Sequence, residues 1–310
     1  MFAREAHGRS AAYEGLAESV ADDEVVLGFL SSLPKQKRQP NLLFAAARYL
    51  LAEPPSIRHL RSLVRQHPAG LARVMLERRT QTNEPARCAT ILPALARLPE
   101  PLALIEVGAS AGLTLLFDRY SYDYAGARLH GSDPDAPVLR CELIGRVPTP
   151  VPERMPAIAW RAGLDLNPLD VTSDDDVRWL SCLVWPGEGD RRERLDAAIA
   201  TARRDPPLVY RGNLLTDLPA LAARAPREAT LVIYHSAVLA YVAARDRLRF
   251  AGIVRELGPV WLSNEAPGVV ADVPAPAEHS GAFVLAQDGQ SPLAFTDGHG
   301  TWLQWLDGPC

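Results

Sequence analysis

Leu102-Ala-Leu-Ile-Glu106-Val-Gly108-Ala-Ser110-Ala-Gly112-Leu-Thr-Leu-Leu-Phe117 is the stretch whose reading decides the fold. An apolar run ends in a carboxylate, Glu106, and turns through small residues from Gly108 to Gly112. It then enters an apolar segment with helical density, which predicts a helix over 111–120. Glycine at both ends of the turn lets the backbone take positive φ and come close to a ligand. The N-terminus of the helix would add free N–H groups and a positive dipole end. A carboxylate at the strand tip would repel a pyrophosphate. It suits a ligand with a cationic or hydroxyl-rich end.

Working outward, the grammar differs on the two sides of this stretch. Before residue 100 the chain reads as helical throughout. Asn41 to Leu51 has the density of a buried helix, and Leu60, Leu63 and Val64, then Leu71, Val74 and Met75, fall at spacings of three and four. After residue 100, short apolar runs alternate with helix-like stretches. The strand candidates are 102–107, 158–164, 208–210, 230–234, 260–263, 283–286 and 301–305. The helix candidates between them are 111–120, 174–184, 191–203, 214–223 and 245–257. Alternation of this kind predicts an α/β domain with a doubly wound, mostly parallel, Rossmann-like sheet. A helical N-terminal cap is expected over 1–99 and the α/β domain over 100–310. Residues 121–157, rich in Gly, Pro and Asp, fit an inserted hairpin or loop.

Polar residues recur where the candidate strands end. Asp165 closes the second strand, and an acid at the tip of the strand beside the glycine turn is how doubly wound folds grip ribose hydroxyls. Asn213 and Leu214 sit in the turn after the third strand. Tyr234, His235 and Ser236 end the fourth, and Asn264 with Glu265 ends the fifth. Each also has a plain reading: Asp165 as a cap, Asn213 as a turn former, His235 as a satisfied core histidine. Gln81, Asn83, Glu84 and Arg87 form a polar cluster just before the sheet region. It reads equally as a solvated turn or as a loop that folds over a site and touches substrate.

Composition narrows the function classes. The 310 residues carry 33 Lys+Arg against 37 Asp+Glu, a net charge of −4. That balance argues against general nucleic-acid binding, which needs a concentrated basic surface. No signal-peptide pattern opens the chain, and no apolar window is long and uncharged enough to suggest a membrane span. Cys88, Cys141, Cys182 and Cys310 are scattered, which fits neither a disulfide framework nor a zinc site. The expectation is a cytoplasmic protein with a small-molecule substrate, no bound metal, no nucleic-acid partner and no membrane. Its oligomeric state is not legible. Asp174-Asp175-Asp176 reads as the acidic first turn of a helix.

In their order, these stretches resemble the class I S-adenosylmethionine-dependent methyltransferase fold over roughly residues 100–306. The whole chain more closely resembles a bacterial family, domain of unknown function 2332. That resemblance is carried by Gln81-Thr-Asn-Glu84, Glu106-Val-Gly-Ala-Ser-Ala-Gly112-Leu, Gly163-Leu-Asp-Leu-Asn-Pro-Leu-Asp170, Val184-Trp-Pro186, His235-Ser-Ala-Val-Leu-Ala-Tyr241 and Trp261-Leu-Ser-Asn-Glu265. The methyltransferase likeness implies S-adenosylmethionine as cofactor. By position it sets Glu106, Gly108, Ser110 and Gly112 near the methionine part, Asp165 on the ribose, and Asn213 and Leu214 by the adenine. Two departures stand out. Ser110 replaces the usual middle glycine, and the step from the turn to Asp165 is longer than the ~20 residues usual in dinucleotide folds. If the insertion is misplaced, Asp123 or Asp133 takes the ribose role instead.

For chemistry, histidine is the side chain whose ordinary pKa lies near neutrality, so His235 is the candidate base. Asn264 and Glu265 are candidate orienting groups, and Tyr234 a candidate substrate contact. Two other readings stay open. Gly108-Ala-Ser110-Ala-Gly112 also matches a G-x-S-x-G nucleophile elbow, with Ser110 as nucleophile and His279 or His299 as its partner. No strand candidate precedes it, however, and no oxyanion segment lies upstream. The third reading is a non-catalytic cofactor-binding protein.

Overall fold

Six consecutive buried residues, Leu102–Val107, form β1, the central strand of the parallel part of a nine-stranded sheet. A strand without one polar-facing position must be covered on both sides, as parallel strands are. The computed structural model describes residues 2–274 and 281–306. The remaining strands follow in chain order. They are β2 (Ser121–Tyr124), β3 (Ala127–Leu129), β4 (Val138–Arg140), β5 (Glu142–Leu143), β6 (Ile158–Asp165), β7 (Val209–Arg211), β8 (Thr230–Ser236), β9 (Val260–Glu265), β10 (Phe283–Gln287), β11 (Ser291–Thr296) and β12 (Trp302–Trp305).

The large sheet runs β5-β12-β11-β10-β9-β8-β1-β6-β7. Its five strands β7-β6-β1-β8-β9 are parallel. β10, β11 and β12 continue it antiparallel, and β5 closes the far edge parallel to β12. The fold is mixed α/β with a large, mostly parallel central sheet. Chain order reverses at β1: the chain passes outward through β6 and β7, then returns to the other side of β1 with β8 and moves on to β9.

Side chains alternate across this sheet. Ile105, Val107, Ala162, Leu164, Ile233 and Trp261 pack with Phe250 and Val254 of helix Ala244–Leu257 in one core. Their neighbours in sequence, Glu106 and Tyr234, are register partners on the opposite face. Ser236 and Asn264, paired across β8 and β9, continue that face.

One element departs from the sequence reading. The helix expected over 111–120 is a single 3-10 turn, Leu113–Leu115. Side chains from elsewhere take the carbonyls a helix would have used. Tyr120 Oη donates to Leu113 O at 2.7 Å, Tyr234 Oη to Thr114 O at 3.0 Å, Arg161 Nη1 to Leu115 O at 3.0 Å and Tyr122 Oη to Phe117 O at 2.8 Å. A segment whose carbonyls are satisfied laterally gains little from coiling. The insertion at 121–157 holds the expected hairpin, β2–β3, which β4 extends into a three-stranded sheet.

The chain divides into two compact units, Met1–Thr82 with Thr172–Leu195, and Asn83–Val171 with Asp196–Cys310. The helical grouping therefore differs from a cap over 1–99. In the first unit, Ser173 caps helix Asp174–Leu183 by accepting from Asp176 N. Asp175 and Asp176 pair with Arg78, and buried Trp179 donates to Arg79 O at 3.0 Å. These bonds make the acidic turn a part of the helical unit. In the second unit, Ala89 of helix Arg87–Leu95 takes the Tyr124 hydroxyl proton on its carbonyl at 2.7 Å. Cys88, Cys141 and Cys182 are free and buried, and Cys310 lies outside the described residues.

Candidate functional site

The carboxyl ends of β1, β6, β8 and β9 gather most of the polar residues singled out from sequence. The glycine turn is stitched to β6. Gly108 N donates to Leu164 O at 2.7 Å, Ser110 N donates to Asp165 Oδ2 at 2.9 Å, and Ser110 O accepts from Leu169 N at 3.1 Å. Gly108 and Gly112 hold φ of 74° and 72°, and Ser110, at 53°, shares the left-handed region between them. A Cβ on Gly108 would come within 2.4 Å of Val238 Cγ2, so the loop after β8 presses on this turn.

Glu106 is buried beneath the turn, 4 % exposed. One carboxylate oxygen, Oε1, accepts from the Thr114 hydroxyl, and the other, Oε2, is buried without a hydrogen-bond partner. Burial pushes its pKa up to about 8, against the Thr114 bond and the Arg87 guanidinium, while the Asp165 charge adds to the rise. A buried carboxyl with an orphaned oxygen is costly unless something completes it.

Asp165 ends β6, level with Arg211 of β7. Besides Ser110 N on Oδ2, its Oδ1 accepts from Asn167 N at 2.7 Å. Asp165 thus braces the turn. Two residues beyond Arg211, Asn213 is exposed and forms its own turn, accepting from Leu215 N and donating its N–H to Asp217. Leu214 leans on the sheet core. The alternative acids serve elsewhere. Asp123 accepts from Gly126 N in the β2–β3 hairpin, and Asp133 pairs with Arg204.

His235 does not stand where a base should. It is fully buried, its Nδ1 lies 2.8 Å from Glu265 Oε1, and its Nε2 accepts from Trp261 Nε1–H at 3.0 Å. An indole can only donate, so Nε2 must accept, and Nδ1 carries the ring proton to Glu265. With both nitrogens engaged and no path to solvent, His235 is a satisfied core histidine, and the expected base role has no lone pair to work with. Glu265 Oε1 also accepts from Val238 N and Leu239 N at 2.9 and 3.0 Å. Burial works against its ionisation, yet these three donors hold its carboxyl below the ordinary carboxylate range. The pair anchors the loop that presses on Gly108.

Tyr234, a candidate substrate contact, is likewise fully buried and spends its hydroxyl on Thr114 O. Gln81 falls in the helical unit, whereas Asn83, Glu84 and Arg87 belong to the sheet unit and are buried rather than solvated. Asn83 Oδ1 accepts from Leu113 N at 2.8 Å, directly after Gly112, and Glu84 Oε1 accepts from Ala86 N at 3.2 Å. Arg87 donates from Nη1 to Ser236 O and from Nε to Gly298 O. Asn264 bridges Ser236 and Thr296 through its side chain. Thr296 and Thr114 were not among the sequence candidates, and Ser236 was noted at its strand end without a role. Ser236 is the one with a signal, as the strand-end residue on the same face as Tyr234.

A match to the bacterial family described as "uncharacterized protein conserved in bacteria (DUF2332)" spans residues 1–305. The chain belongs to this family. No curated protein and no solved structure matches the chain significantly. Among the described residues of this DUF2332 protein, no helix is long and apolar enough to cross a membrane, and no group of three or more His, Cys, Asp or Glu could hold a metal ion.

Proposed function

We propose that this DUF2332 protein is an S-adenosylmethionine-dependent methyltransferase acting on a small polar acceptor, built on a doubly wound Rossmann-like sheet. One observation carries the reading. The glycine turn over Glu106 and the acid Asp165 lie on adjacent strands at the point where the chain order reverses, the crevice in which open α/β sheets take nucleotide-like ligands.

The residues fit the cofactor's chemistry. S-adenosylmethionine carries a sulfonium, an ammonium group and ribose hydroxyls, but no phosphate. The orphaned Oε2 of Glu106 offers an acceptor for a cationic group in a buried setting. Asp165, an acid at the tip of the neighbouring strand, is the kind of group that takes ribose hydroxyls in doubly wound folds. The 3-10 turn after Gly112 supplies no helix N-terminus of the kind that holds phosphate. Bound there, the cofactor would supply an activated methyl group. The chain's own part is to orient it with the Ser110–Asp165 brace and to keep water from the reacting atoms by burial. Thermal melting with S-adenosylmethionine and S-adenosylhomocysteine tests the reading, which expects both to raise the Tm.

The left-handed φ of Ser110 between two glycines favours a second reading, a serine hydrolase. His235 is committed to Glu265 and Trp261, and His279 lies outside the described residues. A fluorophosphonate probe separates the two readings, since the methyltransferase reading expects Ser110 to stay unlabelled.

A further inference from the structure

Thr114 is the middle residue of the 3-10 turn that stands where a helix was expected, and side chains from elsewhere pin that turn. Leu113 N donates to Asn83 Oδ1 at 2.8 Å, and Tyr120 Oη donates to Leu113 O at 2.7 Å. Arg161 donates to Leu115 O at 3.0 Å. The Thr114 carbonyl takes two fully buried donors, Tyr234 Oη at 3.0 Å and Cys88 Sγ at 3.5 Å. In a helix that carbonyl would be spent on the residue four positions on, and the side chain would swing with the coil. A β-branched side chain on a backbone held this way has little rotamer choice. Its hydroxyl meets Oε1 of Glu106.

That contact decides which oxygen of Glu106 stays open. Oε1 is engaged, and Oε2 is buried without a partner. A hydroxyl can accept as well as donate. Thr114 can therefore accept the proton of the neutral acid at Oε1, or donate its own to the carboxylate there, and Oε2 is left unengaged either way. The surrounding groups come from several elements. Arg87 favours the carboxylate and Asp165 of β6 opposes it, while the Tyr234 hydroxyl of β8 favours it. Cys88 and Tyr120, with Glu84 near both, are held neutral by burial. We infer that Thr114 is the positioning residue of the ligand-binding acid, its hydroxyl holding Oε1 in either charge state and reserving Oε2 for a cationic group of the ligand. This deepens the methyltransferase reading and rests on it for the ligand.

The test is 13C NMR on the full chain labelled at its glutamate carboxyl carbons, with the Glu106 signal assigned by its loss in Glu106→Gln. The ligand-free wild type is expected to titrate near 8 at this carboxyl. Thr114→Val, near-isosteric and uncharged, removes a bond that is stronger to the carboxylate than to the acid. It should raise the midpoint by about one pH unit, and Thr114→Ser should leave it in place. At pH 7 S-adenosylhomocysteine should then bind Thr114→Val about tenfold more weakly than the wild type, a gap that narrows as pH rises to 9. A purely structural threonine would lower the Tm and move neither the midpoint nor the pH profile. An unchanged midpoint in Thr114→Val, or a larger shift in Tyr234→Phe, overturns the inference. Failure of S-adenosylhomocysteine to bind the wild type, with the midpoint shift intact, strikes the methyltransferase reading and spares the hold of Thr114 on Glu106.

Discussion

Trp261 donates its indole N–H to Nε2 of His235 at 3.0 Å, and that bond decides what the histidine can do. It leaves Nδ1 to carry the ring proton, held by Glu265. Long-range 1H–15N correlation at neutral pH should read Nδ1 as protonated and Nε2 as bare. His235→Ala should cost about 3–5 kcal/mol of stability in denaturant melts, because it leaves a cavity and strips a buried carboxylate of a partner. A variant as stable as the wild type would remove this network from the core.

Glu106 makes stability fall as pH rises. Its carboxyl titrates near its ordinary 4.5 when unfolded and at about 8 when folded, raised first by burial. The folded state therefore holds the extra proton between those values. The stability this provides is complete below pH 4.5 and is lost as pH climbs to about 8, by at most about 1.4 kcal/mol per pH unit. Glu106→Gln should flatten the Tm-versus-pH curve between 5 and 9 and leave the variant the more stable form at pH 9. Parallel curves for the two proteins would contradict the assignment.

Asp165 holds Ser110 N and Asn167 N, so Asp165→Ala should cost the fold about 1.5–3 kcal/mol, the worth of a bond to a charged acceptor. It should also weaken S-adenosylhomocysteine. Asp123→Ala, altered in the hairpin, should leave that ligand's affinity unchanged. If Asp123→Ala loses the ligand and Asp165→Ala keeps it, the ribose role moves to the insertion.

Gly108→Ala meets two penalties, a φ of 74° and a Cβ 2.4 Å from Val238. Urea melts should show a loss of at least about 1–2 kcal/mol. Adding Val238→Ala should return only part of it, because the new space does not relieve the backbone. Full recovery in the double variant would mean that crowding alone sets the cost.

What was legible in the sequence follows from physics that acts locally. β1 coincides with its apolar run, Leu102–Val107, because its six residues are buried on both faces. Glycines at 108 and 112 announced left-handed backbone, and both adopt it. The 3-10 turn at 113–115 was hidden because its cause is distant: Arg161 caps Leu115 O across 46 residues of sequence and Tyr234 caps Thr114 O across 120. His235 looked reactive for a similar reason, since Trp261 and Glu265 lie on another strand. Asn83, Glu84 and Arg87 read equally as a solvated turn or a substrate loop because their polarity alone does not show that Leu113 N, Ala86 N and Ser236 O use them.

The most direct test of the cofactor claim is isothermal calorimetry with S-adenosylhomocysteine near pH 7, repeated in buffers of different ionisation enthalpy. Glu106 holds its proton there when the site is empty, and a cationic ligand needs the carboxylate. The account predicts one-to-one binding whose heat varies with the buffer, showing release of up to one proton, and a release that vanishes in Glu106→Gln. No heat with S-adenosylhomocysteine or S-adenosylmethionine in any buffer, alongside an unchanged Tm, would contradict it.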